Sequence, residues 1–306
     1  MNFQEFVTTG FGTRLWMRLG RWLPLPAGRG LARAVTGVLH RRKNASLYRI
    51  LYRNQAGVLG PDAGPEQLDA AVGAVLCHAG MTAFDLMHLA AQGESAVQRS
   101  VTFERDFWQN IESARSAGRG VLVCGCHLSN FNLAFLAFAL QGFPVQVLSA
   151  AMPAAGFGLI AEMRNRGVLE ETPIDGPALR KAIARLRRGG AVGIGVDWPV
   201  CVHDGPPVPF FGRPAHLATG WVRLAMSAGA IILPLACRWS PERGYTTLTQ
   251  SLIELELTGD RDADVLHNAR RVLAVMERWI TETPDQWLMY HPVWPEEGAA
   301  PKAEDE

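Results

Sequence analysis

The chain has 306 residues, of which 48% are apolar and 19% charged, with a net charge of +1. That balance supports a sizeable core and excludes wholesale disorder. It also excludes a nucleic-acid binder held by bulk electrostatics.

Basic charge is nonetheless concentrated early. Residues 14 to 53 carry Arg14, Arg18, Arg21, Arg29, Arg33, Arg41, Arg42, Lys43, Arg49 and Arg53 without one acidic side chain. Trp16, Leu19, Trp22 and Leu23 fall at helical spacing among them. Rings at headgroup depth beside arginines on anionic phosphates fit a helix lying in a membrane interface. An amphipathic helix packed on the rest of the protein gives the same period. Residues 1–60 are therefore read as a basic, amphipathic, membrane-associating region. The opening "MNFQEFVTTG" lacks a basic n-region and does not read as a signal peptide. No uninterrupted apolar run reaches the roughly eighteen residues of a membrane span, so none is expected.

"PDAGPEQLDA" is a turn leading into a helix, expected over residues 66–91. A second helix is expected over residues 103–117, ended by the glycines at 118 and 120. From Gly120 the texture changes. "VLVCGC", "PVQVLSA", "AVGIGV" and "AIILPLAC" are short apolar runs that read as buried strands. Helical patterns lie between them, in "ALRKAIARLRR" and "TGWVRLAMSAG". Residues 245–257 alternate like a strand, and residues 263–281 read as a long amphipathic helix. Strands alternating with helices indicate an α/β layered fold over residues 61–295. Residues 296–306 form an acidic tail.

The odd cysteine count (Cys77, Cys124, Cys126, Cys201, Cys237) with no Cys-x-x-Cys pair reads as free core thiols in a reducing compartment. His203, His216, His267 and His291 lack metal-ligand spacing.

His127 stands where the "VLVCGC" strand meets a following apolar helix, a favoured place for chemistry in α/β sheets. Ser129 is placed to cap that helix, with Asn132 three residues later. The helix N-terminus favours anions, including a developing oxyanion. His127 on the preceding loop is placed to take a proton from an attacking group, while a histidine bonded to backbone at a strand–helix turn is the plainer alternative. Asp197 ends another strand. In "PFFGRPAHLATG", Phe210 and Phe211 beside Arg213 suit a ligand both apolar and anionic. Cys126 next to His127 offers a thiol nucleophile with Asn132 as orienter, but neighbours on a strand point to opposite faces. The basic helix "ALRKAIARLRR" suits either an acidic carrier protein or plain solvation.

The order of these segments resembles the lysophospholipid acyltransferase superfamily, in the branch of bacterial lipid A (lauroyl/myristoyl) and phosphatidylinositol mannoside acyltransferases. The likeness runs from Arg41 to Trp294. It is carried by "RRKNASLYRILYRN", "HLSNFN", "EMRNRG" with Arg164, "LRRGGAVGIGVDWP", "VPFFGRPAHLATGWVRLA", "AIILPLA" and "TPDQWLMYHPVW". The resemblance implies one α/β domain with a mixed, mostly parallel central sheet flanked by helices. It implies acyl transfer from an acyl-carrier protein or coenzyme A thioester to a hydroxyl of a membrane lipid or glycolipid. It implies no resident cofactor or metal, and a peripheral position on the cytoplasmic side of an inner membrane with an anionic surface. His127 matches the motif base, and Arg164 and Arg213 match phosphate-holding positions. Phe210 and Phe211 would line the acyl groove or its mouth, and Ser129 would face substrate.

The sequence departs from the family's His-x4-Asp/Glu motif by placing Asn132 where the carboxylate stands. An amide can orient an imidazole but adds no charge. Three arrangements fit: Asn132 orients His127 while Asp197 supplies the charge; the acceptor is an easier nucleophile or the acyl group an unusual one, such as an aminoacyl; or the protein binds lipid or carrier without turnover.

Overall fold

The computed structural model describes residues 20–149, 169–200 and 205–294. Arg14, Trp16, Arg18 and Leu19, Arg164, Cys201, His203 and the acidic tail lie outside the described residues. After helical residues 20–22 come two helices, α1 (Leu25–His40) and α2 (Ser46–Leu59). Then come α3 (Pro65–Gln92), α4 (Glu94–Ser100), β1 (Val101–Thr102) and α5 (Arg105–Ser116). The central units are β2 (Val121–Gly125), α6 (Phe131–Leu140), β3 (Val145–Ser149), β4 (Leu169–Pro173), α7 (Gly176–Arg187) and β5 (Ala191–Gly195). A hairpin of β6 (Val208–Phe210) and β7 (Arg213–Ala215) precedes α8 (Gly220–Ala228). β8 (Ile231–Ser240), β9 (Gly244–Thr249), α9 (Arg261–Glu282) and a 3₁₀ turn, Pro284–Gln286, complete the order.

Among the described residues, seven strands form one sheet in the order β1-β9-β8-β2-β5-β3-β4. Every pairing is parallel except β8–β9. The fold is therefore the α/β layered fold that the strand–helix alternation indicates, with the mixed, mostly parallel sheet that the family resemblance implies. All five residues of β2 are buried, as expected of a strand covered on both faces. Leu122 and Cys124 face the core beneath α7, α8 and α9, while Val121 and Val123 face the core beneath α5 and α6.

Two expectations change. The alternating stretch from 245 stays a strand only to Thr249. Pairing with β8 resumes for one bridge, Ile253 opposite Ile232, where unbroken register would bring Leu252. One extra residue, a bulge, ends the ladder. Second, α3 is long and apolar enough to cross a membrane by length and composition, although no span was expected. Half of its apolar window is buried inside the fold. It also carries the fully buried Asp85, held by Arg29 and Tyr245. These features mark a helix of the protein's own core.

The C-terminal segment is clamped beside the sheet by polar side chains of α2. Asn54 donates to the carbonyls of Met289 (3.0 Å) and His291 (2.9 Å), and its Oδ1 accepts from Val293 N. Gln55 donates to Pro284 O. The segment from Pro284 to Trp294 is thereby brought against the end of β2.

Candidate active site

β2 and β5 are parallel neighbours in register, with Gly125 opposite Gly195. Their C-terminal ends therefore open at the same level, and the residues that follow each strand meet. His127 follows β2 and Asp197 follows β5. The imidazole lies over Gly195, where a Cβ would stand 3.0 Å from His127 Cε1. A side chain at 195 would press directly on the ring.

His127 Nδ1 bonds Asp197 Oδ1 at 2.7 Å, and the His127 backbone N–H donates to Asp197 Oδ2 at 3.0 Å. Trp287 Nε1–H donates to the same Oδ2 at 2.8 Å. Asp197 has no exposed surface, while 19% of the His127 side chain is exposed. Burial alone would lower the imidazole's affinity for a proton; the charge and hydrogen bond of Asp197 outweigh it, so the pKa of His127 is raised. Burial would raise the pKa of Asp197, but His127 and then Trp287 hold it below the usual carboxylate range. With Nδ1 occupied, Nε2 is the nitrogen left to meet a substrate.

Phe131 packs edge-on to the imidazole with centroids 4.8 Å apart. Trp198 lies on another side at 5.5 Å and in turn packs on His291 at 4.4 Å. The C-terminal segment forms an antiparallel bridge with the His127 loop at Leu128 and Trp287. Leu288 N donates to His127 O at 2.8 Å, and Ser129 N to Gln286 O at 2.7 Å. The loop therefore has backbone bonds on both sides of Leu128, starting at the histidine's own carbonyl.

The structure changes several roles read from the sequence. The cap of α6 is Asn130, whose Oδ1 accepts from Leu133 N, and not Ser129. Ser129 is buried in the left-handed region at φ +50°, and its Oγ bonds His78 Nε2 at 2.9 Å. The hydrogen bond expected from Asn132 to the imidazole is made by Asp197; Asn132 sits in the first turn of α6. The N–H groups of such a turn lack partners within the helix. Burial and the nearby Asp197 hold Cys126 as a thiol, its pKa well above the ordinary value.

Phe210 is fully buried and belongs to the core. Phe211 and Gly212 form a two-residue turn with φ of +51° and +68°, which matches the twist of the β6–β7 hairpin. Phe211 N donates to Glu277 Oε1 at 2.8 Å. Both phenylalanines pack on Trp287 and Trp294. Arg213, exposed on β7, places its guanidinium 5.2 Å from the Trp294 ring centre. One aromatic cluster thus runs from Arg213 to the tryptophan that holds Asp197.

The basic face of α7 lies elsewhere. Leu186 near the end of α7 packs on Gly120, which precedes β2, whereas His127 follows it. About 16 Å of strand separates these levels. Lys181 and Arg185 pair with Glu170 there.

Among the described residues, no group of three or more His, Cys, Asp or Glu side chains is placed to hold a metal ion. A histidine–carboxylate pair thus lies at the ends of adjacent parallel strands, beside a helix N-terminus, in an α/β fold. The model of the bacterial lipid A biosynthesis acyltransferase family matches residues 5–296, and the chain belongs to that family. Curated relatives include the phosphatidylinositol mannoside acyltransferases of two strains of Mycobacterium tuberculosis, each 25% identical over 189 residues. The match spans 60% of this chain and 58% of each relative's length.

Proposed function

We propose that this protein moves a fatty acyl group from a thioester, on an acyl-carrier protein or coenzyme A, to a hydroxyl of a membrane lipid or glycolipid. The observation that carries this reading is the 2.7 Å bond from His127 Nδ1 to the buried Asp197, which leaves Nε2 for the acceptor. Nε2 takes the hydroxyl proton as the oxygen attacks the thioester carbonyl. The imidazolium that forms is stabilised by the negative charge of Asp197, so the neutral Asn132 does not have to supply it. The oxyanion forms beside the N-terminus of α6, whose dipole and first-turn N–H groups favour negative charge. When the intermediate collapses, the C–S bond breaks and the thiolate leaves with the proton that His127 returns. Arg213, with Arg164, serves as a ligand for phosphate on the acceptor or on the carrier. The donor is a co-substrate, and this step uses no resident cofactor.

The reading also places the protein peripherally on the cytoplasmic face of an inner membrane. In support, Trp22 is 80% exposed, and α1 exposes Leu31 and Val38 one face apart from its buried Gly28, Ala32 and Thr36. Arg33, Arg41 and Arg42 are exposed around that stripe. Apolar side chains framed by cations suit an anionic bilayer.

The test is a mass-spectrometric assay of purified protein with mixed acyl thioesters and a membrane lipid extract, with His127→Ala in parallel. The expected result is an acylated lipid from the wild type and at least about a thousandfold less from His127→Ala. Folded wild-type protein that consumes no thioester and yields no product would overturn the reading.

A further inference from the structure

Trp287 is ninety residues from Asp197 in sequence, yet its indole N–H reaches the carboxylate at 2.8 Å in a fully buried contact. Its ring is fixed independently of that bond. It packs in the aromatic cluster with Phe210, Phe211 and Trp294, and its backbone bridges to Leu128 beside His127. The same residue therefore holds the loop that carries His127 and the carboxylate that faces it. We propose that Trp287 is a positioning residue of the dyad, which fixes Asp197 and draws off part of the negative charge that Asp197 presents to His127. This rests on His127 and Asp197 acting together as the base.

The physics gives this role a direction. A buried carboxylate divides its lone pairs among its donors. Oδ1 serves His127 Nδ1, and Oδ2 serves the His127 backbone and Trp287. Removing the indole donor leaves the charge less shared, so the carboxylate binds the imidazolium more strongly. The proton on His127 is then held more tightly, and the base is free only at higher pH. A merely structural disturbance has the opposite sign. If Asp197 swings away, His127 loses its counter-charge and burial lowers its pKa.

Among the described residues, the surrounding elements carry these other titratable groups, beside the buried Tyr290, whose pKa burial raises. On the β2 loop Cys126 is held as a thiol. On α3 His78 bonds Ser129 and is pushed down to about 4 by burial and then by Arg29, so it is neutral across the working range. On the C-terminal segment Asp285 is raised by burial, and His291 stands behind Trp198. On α9 Glu277 is tied to Phe211 N. None of them lies between Trp287 and Asp197, which are in direct contact.

The experiment is an NMR titration of the His127 ring in the full chain, beside the pH dependence of kcat/KM. It compares wild type, Trp287→Phe and a variant with 3-benzothienylalanine at 287, which keeps the bicyclic shape and replaces N–H by sulfur. The expected result is a His127 pKa above the wild-type value in both variants. The rising limb of kcat/KM should move in the same direction, with kcat about tenfold lower and KM unchanged. An unchanged or lowered His127 pKa in the shape-conserving variant would overturn the inference. The titration needs no turnover. A shift of the expected sign in a protein without transferase activity would overturn the acyl-transfer reading alone, and an active wild type with an unmoved titration would overturn this inference alone.

Discussion

Asp197 and Asp85 are both fully buried carboxylates, and their partners separate them. Asp85 accepts from Arg29 Nε at 2.9 Å and Nη2 at 2.6 Å, and from Tyr245 Oη at 2.6 Å. Asp197 accepts from His127 twice and from Trp287 once. A guanidinium stays protonated at any physiological pH, so the Asp85 site is a fixed charge pair that ties α1 to α3 and β9. An imidazole titrates near neutrality, so the Asp197 site can give and take a proton. The fold thus uses one device, a buried carboxylate that accepts three hydrogen bonds, with a permanently charged partner at one site and a titratable partner at the other. The partner's pKa separates the two.

Substitutions at the two sites should therefore fail in different ways. Asp197→Asn keeps the shape and removes the charge. It should lower kcat by up to about 10⁴, the scale of the same change in the serine-protease triad, with little loss of folded protein. A loss below tenfold in a direct transfer assay would break the comparison. Asp85→Asn leaves the Arg29 guanidinium without its counter-charge. Removing one partner of a buried pair costs about 3–5 kcal/mol, and the 22% exposure of Arg29 sets the expectation at or below the low end. Denaturant unfolding should show that loss, while kcat per folded molecule stays near wild type. A reversed result, with stability kept and turnover lost, would make Asp85 part of the chemistry. Asn132→Ala should have the smallest effect, within about tenfold in kcat, because Asp197 holds the imidazole nitrogen that Asn132 was expected to orient.

Much of this architecture was legible in the sequence, for a physical reason. Strands buried on both faces read as unbroken apolar runs, so β2, β3, β5 and β8 stood out. A histidine and an aspartate just beyond two such runs were candidates because parallel strands bring their C-terminal ends together. The donors to Asp197 beyond His127 were not legible. Trp287 reaches it only because Asn54 and Gln55 of α2 clamp the C-terminal segment against the sheet, and those contacts join residues more than two hundred positions apart. Ser129, expected as the cap in place of Asn130, misled for a local reason. Either fits an N-cap by residue type, and the choice follows from the left-handed backbone at Ser129, which its bond to His78 accompanies. Phe210 looked like a ligand wall in "PFFGRP" but is core, because Trp287 and Trp294 of the distant C-terminal segment cover it.

The central claim is that neutral His127, held by Asp197, is the base. The most direct test is the pH dependence of kcat/KM for acyl transfer by the wild-type protein. Asp197 raises the pKa of His127 above the ordinary 6.5, so the deprotonated, active form accumulates only as pH climbs through that raised value. The account predicts a rate that increases with pH through a single ionisation above 6.5, and a limb displaced to lower pH in Asp197→Asn. A flat profile from pH 5 to 9, or a limb unmoved by Asp197→Asn, would contradict it.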